Sequence, residues 1–226
     1  KNGFNCKIIN NFDSEFDLLC SAARRMPTPI IGISTTFALQ WSEIDRITKK
    51  IRDEFPEAVI VLGGAFVNDR FLVYGTDDLQ NNIRAVGANY ILYGFNSEID
   101  LLMLLESLKN NDGDFSQVNN LAFLDENNTF ITTETAWNNP TLDSSPLPWD
   151  KCDAIQSSQT VHFRTASGCP FTCSFCSYPT SASGVHYSEM NILKTHLDSI
   201  AQLNSIESLI FIDDTLNVPP KRFKEI

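Results

Sequence analysis

Short apolar runs alternate with amphipathic stretches through the first 110 residues, which predicts strand and helix in turn. Cys6 to Asn10 reads as a short strand and residues 13–23 as a helix. Pro29 to Ser34 is an apolar run of buried-strand length, followed by the loop Ser34-Thr35-Thr36-Phe37. Ser42 with Asp45 three residues on is a capping-box-like start for a helix carrying Ile44, Ile47 and Ile51, which Pro56 ends. Ala58 to Leu62 is the next strand and runs into Gly63-Gly64. Asp78 to Val86 reads as a short helix, and Asn89 to Gly94 as another strand. Ser97 then caps a helix whose apolar face is Leu101, Leu104, Leu105 and Leu108. Apolar strands separated by amphipathic helices predict an α/β domain, 1–112, with a parallel sheet covered on both faces.

The pattern changes over 113–160. Asn119 to Asp125 and Thr129 to Glu134 read as a β-hairpin, and Pro140 to Asp150, with three prolines among serines and aspartates, as an extended linker. From Val161 the alternation resumes: a strand Val161 to Thr165, a helix capped by Ser188 with Leu193, Leu197 and Ile200 on one face, and a strand Ser208 to Ile212 ending at Asp213-Asp214-Thr215. Residues 161–226 thus hold one βαβ unit and the start of its next helix. A complete eight-fold barrel needs about 200 residues, so the expectation is the first part of a barrel. Asn2-Gly3-Phe4 looks like a helix end and Arg222 to Ile226 runs into a helix, so a piece cut at both ends is expected.

Composition narrows the partners. Over 226 residues the apolar content is 42%, with 16 Phe, which predicts a packed core. A net charge of −11 disfavours a nucleic-acid partner, whose phosphates bind clustered Lys and Arg. No apolar run reaches the length of a membrane span. Six cysteines are too few for a disulfide scaffold. Three of them cluster, which reads as metal binding in a reducing, cytoplasmic compartment; Cys6, Cys20 and Cys152 read as small buried or neutral residues.

The cluster is Cys169-Pro170-Phe171-Thr172-Cys173-Ser174-Phe175-Cys176, spaced C-x3-C-x2-C. Three thiolates within eight residues can fold around one metal centre. A cubane iron–sulfur cluster of the electron-transfer kind takes a cysteine on each of its four irons, so three ligands leave one iron open. The competing reading is zinc, which takes four closed ligands. The fourth would come from His162, His186 or a distant cysteine. His162 otherwise reads as a packed core residue, His186 as a surface one and His196 as solvated. Trp41, Trp137 and Trp149 read as packing residues.

The spacing, with Phe175 before the last cysteine, resembles the radical S-adenosylmethionine (SAM) superfamily. The resemblance implies a [4Fe-4S] cluster on Cys169, Cys173 and Cys176, SAM chelated by the open iron, Phe175 beside the adenine, and reductive cleavage of SAM by an electron from a flavodoxin- or ferredoxin-type donor. At the carboxyl end of the second strand, Asp213 and Asp214 then become candidates for the SAM ammonium or a substrate; the competing reading is a solvated pair or a helix cap. A Rossmann-like domain ahead of such a motif is similar to the cobalamin-binding class of this superfamily. In that likeness the strand-end residues Ser34, Thr35, Thr36, Gly63, Gly64 and Gly94 cradle cobalamin. Each glycine taken singly reads rather as an ordinary turn residue, and only the three together, ahead of a cluster motif, favour the cofactor. All 3 histidines lie after residue 160, so the resemblance implies either cobalamin without a lower histidine ligand or a domain that has lost the cofactor. The segments Leu142 to Pro148, Cys169 to Pro179 and Leu216 to Phe223 look like cobalamin-dependent radical SAM methyltransferases, and loosely like the phosphinate P-methyltransferase subgroup. The implied activity is methyl transfer to an unactivated carbon or a phosphinate phosphorus of a small-molecule or peptide substrate. The alternatives are cyclisation or rearrangement without methyl transfer, or a cofactor-binding piece inactive alone.

Overall fold

The computed structural model describes residues 3–38, 40–95, 97–110, 113–136, 142–144, 147–151, 155, 158–176, 178 and 184–226. The chain divides into two compact units, Lys1–Asn138 and Asn139–Ile226.

In the first unit five strands form one sheet in chain order: β1 (Ile30–Ser34), β2 (Val59–Gly63), β3 (Tyr90–Leu92), β4 (Leu121–Leu124) and β5 (Phe130–Thr132). The first three run parallel, with Ile31 beside Ile60 and Leu62 beside Ile91. The hairpin β4–β5 adds antiparallel onto β3, Ile91 opposite Ala122. The hairpin expected in a separate segment is therefore part of the first sheet and covers what would otherwise be the exposed edge of β3.

Five helices connect and cover the strands: α1 (Phe16–Ala23), α2 (Trp41–Glu54), α3 (Ala65–Tyr74), α4 (Thr76–Ile83) and α5 (Glu98–Asn110). The period-2 alternation of β2 splits its side chains between two layers. Ile60 and Leu62 pack with Ile44, Ile51, Leu79, Ile83, Ile91 and Tyr93 on one face. Val61 packs with Leu92, Leu104, Val118 and Leu121 on the other. Each fully buried Leu or Ile contributes about 2 kcal/mol relative to exposure, so both covered faces stabilise the sheet.

Local expectations differ at four places. Cys6 to Asn10 forms no strand: no neighbouring strand offers it a ladder, Ile8 is 56% exposed and Cys6 is exposed. The helix α3 was not legible, because its apolar residues are not confined to one face; Val67 is fully buried while Val73 is 68% exposed. The expected Ser42–Asp45 box is not made. Helix α2 starts at Trp41 behind Gln40, without a side-chain cap, and Asp45 pairs with Lys49 at 2.7 Å. Ser97 accepts the amide of Leu101 through its backbone oxygen (2.8 Å) and turns its hydroxyl back onto the carbonyl of Gly94 (2.6 Å).

In the second unit β6 (Thr160–Phe163) and β9 (Ser208–Phe211) pair in parallel, Phe163 beside Phe211, with α6 (Met190–Ala201) between them in the chain. A two-residue antiparallel ladder, β7 (Ala166–Ser167) with β8 (His186–Tyr187), follows β6, and a short α7 (Pro220–Phe223) follows β9. Val161, Phe163, Leu193 and Ile200 form the core with Trp149. The opposite face of the pair is open: His162 and Ile210, side by side in register, are both exposed. No closed barrel is present among the described residues.

The cap of α6 also differs from expectation. Asp143, on the 3-10 turn Leu142–Ser144, accepts the Ser188 hydroxyl and the Glu189 amide (2.9 Å). A carboxylate there meets the positive end of the helix dipole. His196 is not solvated. It is only 9% exposed, and its Nδ1 accepts the indole N–H of Trp149 at 2.9 Å. His162, expected in the core, lies on the open face. Of the other cysteines, Cys20 is buried as expected, and Cys152 and Trp137 lie outside the described residues.

Candidate functional site

In the first unit the carboxyl ends of β1, β2 and β3 carry the predicted residues, and parallel sheets place ligands at such ends. The loops are tied to one another. The Thr35 amide donates to the Gly63 carbonyl (2.6 Å) and its hydroxyl to the same oxygen (3.0 Å), while the Val67 amide donates to that hydroxyl (3.3 Å). Thr35 is fully buried, so its hydroxyl is spent inside the protein. Ser34 and Thr36 are exposed and share a hydrogen bond of 3.1 Å. Phe37, next along, is 94% exposed.

The glycines are small for a reason the sequence did not show. At Gly64, φ is +109° and an added Cβ would stand 2.9 Å from the Thr35 nitrogen. At Gly94 an added Cβ would stand 2.7 Å from the Asn120 side chain. Protein backbone and side chain fill those spaces. Asn120, fully folded in at φ 55°, anchors this corner: its amide nitrogen donates to Asp100 (3.0 Å) and to the Ala136 carbonyl (2.9 Å). The strand ends left open at the surface are Ser34, Thr36, Phe37 and Gly64.

In the second unit the cysteine loop leaves the β7–β8 ladder at Gly168 and returns at Gly184. The crossing is tight: with φ +86°, a Cβ on Gly168 would stand 1.8 Å from the Gly184 carbonyl oxygen. Cys169 is half-buried, Cys173 and Cys176 are exposed, and all three are free thiols. The Cys176 amide donates to the Cys173 carbonyl (3.0 Å), a turn that sets these two on one bend. Phe171 and Phe175 stand out from the loop at 52% and 90% exposure. Among the described residues no three His, Cys, Asp or Glu side chains converge on a point as a single metal ion requires. A cubane sets a different requirement, since each thiolate goes to its own iron. Three thiols on one loop held closed at its neck meet that requirement.

Near this loop lie buried polar atoms with no hydrogen-bond partner among the described residues. Asp213, at the end of β9, accepts through one oxygen the Thr165 amide (2.9 Å), the Thr165 hydroxyl (2.9 Å) and the Ala166 amide. It is therefore neither a solvated residue nor a cap for α7. Its other oxygen, with Arg164 Nε and His186 Nε2, is buried with no hydrogen-bond partner among the described residues. An unmade buried hydrogen bond costs about 1–3 kcal/mol, so three in one region mark a place where a polar ligand or water belongs. His186, expected at the surface, contributes one of them. Asp214 is exposed.

Tyr178 was not singled out by the sequence. The Gly168 amide donates to its phenol oxygen at 3.2 Å. Burial pushes the phenol's pKa up; the Gly168 amide and the Arg164 guanidinium oppose that rise, and Asp214 adds to it. Arg222 was missed as well. It donates to the Thr165 carbonyl (3.0 Å) and lies 5.2 Å from the ring centre of Tyr187, tying α7 to the ladder.

No protein-family model and no curated protein matches the chain. Solved structures do. Three are states of the cobalamin-dependent S-adenosylmethionine radical enzyme OxsB. The one with aqua-cobalamin and S-adenosylmethionine bound matches at a TM-score of 0.62 and 16% identity, over 90% of this chain. The one with aqua-cobalamin alone matches at 0.60 and the selenomethionine-labelled apo form at 0.64, at the same identity and coverage. The chain shares their fold. It spans 27% of the length of those chains. The α/β architecture with a parallel-dominated sheet is thereby common to both. Among the described residues no helix is long and apolar enough to cross a membrane.

Proposed function

We propose that this chain belongs to a cobalamin-dependent radical SAM enzyme, with methyl transfer to an unactivated carbon or phosphinate phosphorus as its reaction. One observation carries the reading: three free thiols in C-x3-C-x2-C spacing lie on a loop that follows a strand of a parallel βαβ unit. The likeness to OxsB in fold supports it. Cys169, Cys173 and Cys176 would each ligate one iron of a [4Fe-4S] cluster, and the fourth iron would take the amino and carboxylate groups of SAM. A cluster bound there would supply the electron that cleaves SAM.

The chain's own residues then have distinct tasks. Gly168 lets the loop close against Gly184. Phe175, exposed beside the last cysteine, offers an aromatic face to the adenine. Asp213 fixes the strand end through the Thr165 and Ala166 amides and keeps one oxygen over for an ammonium or other donor. Asp214 presents a second carboxylate. In the first unit Ser34, Thr36 and Gly64 form the open rim for the corrinoid, with Thr35, Gly63 and Gly94 holding that rim in shape.

The test is anaerobic reconstitution with iron, sulfide and aquocobalamin. The proposal expects cubane-type absorption, retention of the corrinoid and 5′-deoxyadenosine from SAM under reduction; a methylated product separates methyl transfer from rearrangement. Absence of both the absorption and the deoxyadenosine would reject the reading.

A further inference from the structure

The cysteine loop is closed at two points. One is the backbone crossing of Gly168 and Gly184. The other is Tyr178, whose phenol oxygen reaches back ten residues to accept the Gly168 amide at 3.2 Å. All three cysteines lie between the two ends of that hydrogen bond. The phenol is half-buried.

We infer that Tyr178 is the latch of the cysteine loop: its phenol oxygen holds the amide at the start of the loop and so governs how long the loop stays closed around its metal cluster. The latch's service to a cluster rests on the function proposed above; loop closure itself does not. Tyr178 touches no reacting atom in this role and is a positioning residue. Opening the loop breaks the Gly168–Tyr178 bond, and an open loop releases iron. Phenylalanine keeps the ring and its packing and deletes only the oxygen. Tyr178→Phe therefore isolates the latch from the fold.

Two measurements decide it. Hydrogen exchange on the metal-free protein, wild type against Tyr178→Phe, reads the loop directly. The expected result is exchange on the order of tenfold faster at the Gly168 amide and its loop neighbours, with the amides of Val161 to Phe163 unchanged. On anaerobically reconstituted full-length protein, the rate of cluster loss to an iron chelator is expected to rise on the order of tenfold at an unchanged melting temperature. Unchanged exchange at Gly168 overturns the latch. Faster exchange with an unchanged rate of cluster loss overturns its service to the cluster. A wild type that takes up no iron overturns the proposed function, while the exchange result still decides loop closure.

Discussion

The two units bury a strand–helix–strand layer in the same way, yet they differ in what is left over. In the first, both faces of the sheet are covered, and buried polar residues such as Thr35, Asp100 and Asn120 are bonded to neighbouring backbone and side chains. In the second, one face of the β6–β9 pair stands open. The three buried polar atoms without partners, Arg164 Nε, His186 Nε2 and Asp213 Oδ2, all belong to it among the described residues. In the first unit the buried polar groups named are bonded within the protein; in the second, three near the cysteine loop have no partner among the described residues.

The largest break in this comparison comes from the neck of the cysteine loop. Gly168→Ala forces a Cβ into the Gly184 carbonyl at a left-handed φ, which costs about 3 kcal/mol or more. Gly184→Ala has the same kind of backbone, φ +111°, but open space around it, and costs about 1–2 kcal/mol. Denaturant unfolding of the two variants, followed in the second unit, checks the contrast. Next, Asp213→Ala strips the acceptor from two amides and a hydroxyl at Thr165 and Ala166, and destabilises the second unit by about 3 kcal/mol. Equal stability of wild type and Asp213→Ala would contradict the anchoring role.

In the first unit the counterpart is an ion pair. Arg70 donates to Asp78 (2.8 Å through Nε), and the Trp41 indole donates to the same carboxylate (3.0 Å). The Arg70 hydrogen bonds hold the Asp78 carboxyl below its ordinary pKa. A carboxyl depressed in the folded chain contributes stability that is fully present above about pH 4 and is lost as the pH falls through the folded value. Asp78→Asn should therefore cost about 1–3 kcal/mol at pH 7 and remove part of the acid sensitivity below pH ~4. Melting curves against pH report both. The smallest effect is expected at Thr35→Val, which keeps the shape and deletes one hydroxyl bridging Gly63 and Val67, for about 1 kcal/mol.

Much of the framework was legible, because the parallel strands are short runs rich in apolar residues: β1, β2, β3, β6 and β9 fall where those runs lie. The cysteine motif was legible because its spacing is short-range. What failed was tertiary in origin. The sequence marked the hairpin but not its pairing to β3, since register across a sheet edge leaves no local trace. Nor did the sequence show that Thr35 and Asn120 stand against Gly64 and Gly94, which leaves no room for a Cβ at either. His196 looked solvated because nothing near it in the chain announces Trp149, 47 residues away. Tyr178 and Asp213 act through contacts that only folding creates.

Metal content decides the central claim. Wild-type protein purified anaerobically, beside variants with Cys169, Cys173 or Cys176 changed to Ser, should carry about four irons per chain with matching sulfide, and each variant should lose most of them. Zinc in place of iron, or iron held as firmly by all three variants, would contradict it.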